Sequence, residues 1–174
     1  MSKHTLPREV SPLKYADQGR RLSGVIALSQ LPRVMEVIED AHEGDVEIEL
    51  EFSCDEQRQK LLKGRLEASV SLLCQRCLAP VRLPVHSDFT LGMVLNDEQA
   101  RNLPKCYEPL MVEPEHLDLY DVVEEELLLS LPMFAYHEQC QSDMRKGSDA
   151  ENADPALKKP NPFSVLSVLK RDQQ

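Results

Sequence analysis

From Asp45 the chain alternates without a slip: Val46, Ile48, Leu50 and Phe52 are apolar, and Glu47, Glu49 and Glu51 stand between them. Successive side chains of a strand point to opposite faces, so this stretch is a strand with one buried and one solvated side. After the polar stretch "CDEQRQK" a second alternation places Leu66, Ala68, Val70 and Leu72 on one face, with Arg65, Glu67, Ser69 and Ser71 on the other. Two such runs joined by a short polar link pair as an antiparallel hairpin, whose wet face sets the three glutamates near Lys63 and Arg65. A third β-like stretch carries Val81, Leu83 and Val85, then Phe89, Leu91 and Met93. Pro84 lacks an amide proton, which puts that stretch at an edge or a break. The expectation is a small antiparallel β-meander.

Ahead of the meander, "RRLSGVIAL" is a short β-prone run ending at Ser29, the candidate N-cap of a short helix with Leu31, Val34, Met35 and Ile38 on its buried face. Beyond it, "NDEQARNLP" reads as a helical turn and "EHLDLYDVVEEELLLSLP" as the best helix in the chain. Asp118 is its candidate cap, acids fill its early turns, Tyr120, Val123, Leu127, Leu128 and Leu131 form an inner stripe, and Pro132 stops it. Such an acidic helix covers the sheet, and the fold class is α+β. The adjacent Glu124 and Glu125 read as a solvated face.

Residues 141–159 have almost no apolar side chains and cannot offset their own ordering entropy, so they read as a flexible linker. The linker delivers a short C-terminal helical segment. In it Asn161 caps, Pro162 takes the first helical position, Phe163, Leu166 and Leu169 share one side, and Lys170 suits the C-terminal dipole. These six residues are the candidate partner-docking site. The organisation expected is an α+β domain over 1–140, a linker over 141–159 and a docking segment over 160–174.

The net charge of −10, from 20 basic and 30 acidic residues, is the opposite of a uniformly cationic coat for nucleic acid. The sign is uneven along the chain. Residues 55–86 carry six Lys and Arg against three acids, whereas residues 97–126 carry ten acids against two bases. Either these are two ordinary solvated faces, or the hairpin meets RNA phosphates and the helix meets a basic protein. Lys63, Arg65, Arg76 and Arg82 are the candidate RNA-binding residues. The first residues hold charges and prolines where a signal peptide needs an apolar stretch, and no run of about eighteen apolar residues exists, which points to a cytoplasmic protein. Five cysteines without a secretory segment are expected to stay reduced.

Cys74 and Cys77 form a C-x-x-C that supports three readings. A thioredoxin-type pair needs its first cysteine at a helix N-terminus, and here strands flank the motif. Zinc needs four thiolate or imidazole ligands, which His137 and Cys140 would complete. The third reading is a tight turn of small cysteines packed under Arg76. Cys54 and Cys106 are isolated and read as buried small hydrophobes. Nothing matches a nucleophile elbow, a phosphate-cradling loop or a zinc-protease helix, so an enzyme is not expected.

A strand meander tipped by "CQRC", an acidic helix running into "LP", a polar spacer and a terminal "KPNPFSVLSVLK" together resemble the YceD family, the large ribosomal RNA subunit accumulation proteins of bacteria and plastids. The resemblance is most specific at Cys74, Arg76 and Cys77 and at Pro160, Asn161, Pro162 and Phe163 with Leu166 and Lys170. It implies a non-catalytic ribosome biogenesis factor supporting accumulation or processing of large-subunit (23S) ribosomal RNA, with the RNA precursor or a basic ribosomal protein as partner and no small-molecule substrate. The alternatives are an interaction adaptor for a ribosomal protein without RNA contact and, more distantly, a thiol-dependent enzyme.

Overall fold

In the computed structural model, which describes residues 5–39 and 44–140, the alternation from Asp45 becomes β3 (Asp45–Cys54), next to β4 (Lys60–Leu73). The two run antiparallel with Val46 opposite Ala68, Ile48 opposite Leu66 and Phe52 opposite Leu62. Apolar side chains thus meet apolar ones on one face, and a slip of one residue would turn all of them into water. Between the strands Asp55 ties the turn by accepting the N–H groups of Gln57 and Gln59, each at 2.8 Å. β4 pairs antiparallel with β5 (Pro80–Val94), bringing Leu62 to Leu91 and Val70 to Leu83. Gly64 lies opposite Phe89, whose ring fills the space a side chain would need: an added Cβ would fall 2.0 Å from the ring Cζ.

The sheet is larger than the expected meander, and it is mixed. β2 (Arg21–Ala27) joins β3 antiparallel, and β6 (Glu108–Met111) joins β5 in parallel, giving the order β2-β3-β4-β5-β6. "EPLM" is too short and too interrupted by its proline to announce a strand. A parallel neighbour needs a crossover, and α3 (Asp97–Asn102), capped by Asn96 accepting the Gln99 N–H at 2.9 Å, lies within it. Because β6 meets β5 only from Leu91 to Val94, the earlier part of β5, including Pro84, is a sheet edge.

β1 (Glu9–Val10) and β7 (Leu117–Asp118) form a separate two-stranded ladder. α1 (Pro12–Asp17) packs on β3 and β4, setting the Tyr15 ring edge-on to Phe52 with centroids 5.4 Å apart. α4 (Leu119–Ser130) packs on β5 and on α2 (Pro32–Met35). Asp118 caps α4, its Oδ1 accepting the N–H of Tyr120 at 2.8 Å. The architecture is a strand-rich α+β fold.

Three local expectations are corrected. Ser29 does not cap a helix: residues 28–30 form a 3₁₀ turn, and α2 starts at Pro32 after Leu31, which supplies no side-chain cap. The cap comes from α4, where Glu124 Oε1 accepts the N–H groups of Arg33 at 2.6 Å and Val34 at 3.2 Å. Glu124 is accordingly 3% exposed rather than solvated, because two orphan helix donors hold its charge inside. Cys54 and Cys106 are exposed, the first at the end of β3 and the second in the connection to β6, both beyond the apolar interior. No helix of the described residues is long and apolar enough to cross a membrane. The expected linker and the docking residues Asn161, Pro162, Phe163, Leu166, Leu169 and Lys170 lie outside the described residues.

Candidate metal centre

β4 keeps its inward phase one residue past its end, so Cys74 follows Leu72 into the interior and is 0% exposed. The chain then turns tightly. Leu78 donates its N–H to the Cys74 carbonyl and Cys74 donates to the Ala79 carbonyl, each at 2.9 Å. Leu78 adopts φ 58°, the left-handed geometry this reversal demands. No helix starts at Cys74, so the thioredoxin-type arrangement is absent. The second pair arrives from the opposite side. Pro132 follows the last turn of α4, and the chain leaves in extended geometry from Leu131. The Gln75 N–H then donates to the Ala135 carbonyl at 2.9 Å, fastening residues 131–140 onto the turn.

The ligand atoms of Cys74, Cys77, His137 and Cys140 consequently lie within 4.8 Å of one another. Cys74 Sγ and Cys140 Sγ are 3.7 Å apart, and Cys77 Sγ is 3.4 Å from His137 Nδ1. Tetrahedral Zn–S bonds of ~2.3 Å and Zn–N bonds of ~2.0–2.1 Å imply ligand separations of about 3.8 Å for S to S and about 3.5 Å for S to N. The donor set fits a metal ion. His137 Nε2 donates to the Pro80 carbonyl at 3.0 Å, which fixes the ring with Nδ1 facing the sulfurs.

The electrostatics agree with the geometry. Burial raises the Cys74 thiol, but hydrogen bonds from the backbone of Cys77, Arg76 and His137 and from the His137 ring outweigh it and bring the pKa down to about 5. At neutral pH its sulfur is a thiolate, the form that binds metal. Cys140 moves the other way, raised by burial and then by hydrogen bonds and negative charge from Cys74 and Cys77. The cluster therefore favours a cation among its sulfurs.

The four basic candidates separate into two pairs. Arg76 sits in the turn, its guanidinium 5.5 Å over the Tyr136 ring and its Nη1 donating to the Cys140 carbonyl at 3.4 Å. Arg82 lies opposite Ser71 on the outward side of β5. Lys63 and Arg65 lie eleven and nine residues before Cys74 on β4, roughly 30 Å or more from the turn at ~3.3 Å per residue. Arg65 is paired with Asp88 at 2.9 Å, which raises its pKa through that hydrogen bond and the charge behind it. Lys63 stands opposite Glu51 and Arg65 opposite Glu49. On α4, Asp121 and Glu125 point outward while Glu124 and Glu126 are buried, so half of the acids in that run are not offered to a partner. The residues that sequence reasoning passed over are Phe134 and Tyr136. Their signal was faint: two aromatic residues between a helix stop and a candidate ligand.

Fold and centre define a class: a strand-rich α+β protein whose longest hairpin ends in a three-cysteine, one-histidine cluster. The model of the family "Large ribosomal RNA subunit accumulation protein YceD" matches residues 62–170. A Haemophilus influenzae protein named "Large ribosomal RNA subunit accumulation protein YceD" is 36% identical over 174 residues, covering 98% of this chain and 99% of that protein. The chain belongs to the YceD family. No solved structure matches it.

Proposed function

We propose that this chain is a non-catalytic cytoplasmic factor for the accumulation of large-subunit (23S) ribosomal RNA, and that its Cys74–Cys77–His137–Cys140 centre holds one Zn²⁺. The observation that carries the first half is the relative named for that role, similar over nearly the whole of both chains. The second half is supported by sulfur and nitrogen separations that match tetrahedral edges. Bound there, the ion would supply a closed, redox-inert tie and no reaction chemistry. The chain's own residues do the rest: Cys74 and Cys77 shape the turn, His137 and Cys140 bind the exit of α4 to it, and Pro80 orients the imidazole. Of the four basic candidates for RNA contact, Arg76 and Arg82 make no ion pair among the described residues, while Arg65 is engaged by Asp88. The domain over 1–140 carries this surface, and residues 160–174, on their linker, serve as a tether for a ribosomal partner.

The test is genetic. Deleting the gene should lower 23S ribosomal RNA relative to the small-subunit RNA, and a plasmid copy should restore it. Unchanged RNA in the deletion strain would contradict the reading.

A further inference from the structure

We infer that the face beside the metal centre is a stacking site for unpaired nucleotides of RNA, built on Phe134 and Tyr136 and flanked by Arg76 and Arg82. It deepens the ribosomal RNA reading above and rests on it.

Large aromatic side chains are normally covered, and leaving two of them in water within three residues needs a reason. Phe134 is 62% exposed and Tyr136 is 43% exposed. They are not on a loose loop: Ala135 between them is buried and accepts the Gln75 N–H, and His137 and Cys140 bring the same segment against the turn. The two rings are nearly parallel, 12° apart in plane with centroids at 6.4 Å, so they present flat surfaces of one orientation. Beside them runs a groove of about 390 Å³, with residues 83–86 of the open β5 edge on one wall and Pro132, Phe134 and Tyr136 on the other.

The charges around the rings select the occupant. Arg76 lies over the Tyr136 ring and uses one N–H on the Cys140 carbonyl, which leaves further donors of its planar fork for a phosphate. Arg82 precedes the groove wall on the outward side of β5, and His86 lines the groove. The acids nearby are Glu138 on the same segment and, around Pro84, Val85 and His86, Glu67 with Asp45 and Glu47. Flat aromatic faces with the Arg76 guanidinium beside them and Arg82 on the adjoining strand suit bases that stack and phosphates that pair, and only unpaired bases offer their faces. An apolar protein segment would instead be drawn to Met133, 85% exposed, and Leu78, 70% exposed.

The experiment uses the full chain with its metal and two fluorescent probes, a short single-stranded oligoadenylate and an RNA duplex of equal length, followed by anisotropy. Oligoadenylate should bind more tightly than duplex, and Phe134→Ala with Tyr136→Ala should weaken it about tenfold or more, since stacking contributes strongly for each base. Phe134→Trp with Tyr136→Phe should retain binding, and Met133→Ser with Leu78→Ser should leave it unchanged. Metal content and thermal midpoint of each variant show that it is folded. Equal binding by the double alanine variant, or a loss confined to the Met133 and Leu78 variant, would overturn the inference and favour a protein partner at this face. In the deletion strain the two readings separate. Normal 23S RNA without the gene sinks the ribosomal reading, whereas reduced RNA that the double alanine variant fully restores sinks only the stacking site.

Discussion

Over most of its length the β4–β5 hairpin is held by apolar packing, with Phe52, Leu62 and Leu66 fully buried and the Phe89 ring lying on Gly64, whereas from Cys74 to Pro80 it is held by a few directed contacts to residues 131–140. Each large side chain in the first region contributes about 1.5–3 kcal/mol by leaving water. That stabilisation is spread over many neighbours, so no single atom decides it. In the second region, Leu78, Met133 and Phe134 stay exposed, and the two chain segments meet through hydrogen bonds of Gln75, Arg76 and His137 and through the clustered sulfur and imidazole groups. Packing tolerates small errors of position, while a coordination site fails when one donor is lost. If the proposed ion is bound, the same hairpin joins a robust body to an end whose order is conditional on coordination.

The largest effect should come from breaking the conditional end. Stripping metal with a strong chelator, or Cys77→Ser, should remove several kcal/mol of stability there, because binding energy in such a site is also folding energy. Hydrogen exchange should speed up at residues 74–80 and 131–140 and stay slow in the central strands. Uniformly faster exchange would mean that the two regions are not separate.

The body can be broken without touching the centre. Glu124→Ala removes the carboxylate that accepts the Arg33 and Val34 N–H groups and should cost about 2–3 kcal/mol in a denaturant titration, the scale for losing charged hydrogen bonds and stranding buried donors. Metal content should not change. Loss of metal in this variant would show that α4 carries strain from one region to the other.

How much of this was legible depends on how local the cause was. The alternation from Val46 to Phe52 is read residue by residue, and Asp118 caps a helix that begins beside it. Glu124 could not be read, because the donors it meets are about ninety residues away and nothing in "VVEEELL" distinguishes the acid that turns inward. β6 was invisible because four residues with a proline join the sheet only through tertiary pairing. The two cysteine-containing pairs could be seen as pairs. That they converge depends on where Pro132 sends the chain, which spacing does not encode. The family resemblance was carried by the turn and the terminal segment, and the family is established by similarity along nearly all of the chain.

The smallest effect sharpens the comparison inside α4 itself. Glu126 is buried without the two backbone donors Glu124 enjoys, and its pKa is raised by burial first and by the charges of Glu108 and Glu125 second. The unfolded chain releases this proton at lower pH than the folded one. Stability from this group is therefore present below the ordinary glutamate pKa and is lost as pH rises through the raised value. Glu126→Gln should lift the thermal midpoint by a few degrees at neutral pH and leave it unchanged in acid. A fall at neutral pH would assign the carboxylate a native partner.

The zinc content of the intact protein is the most direct measurement of the proposed centre. Native mass spectrometry of the full chain purified without chelator should show one zinc per chain, absent in Cys77→Ser. A metal-free chain, with residues 131–140 as protected from exchange as the central strands, would contradict the claim and leave the turn held by packing alone.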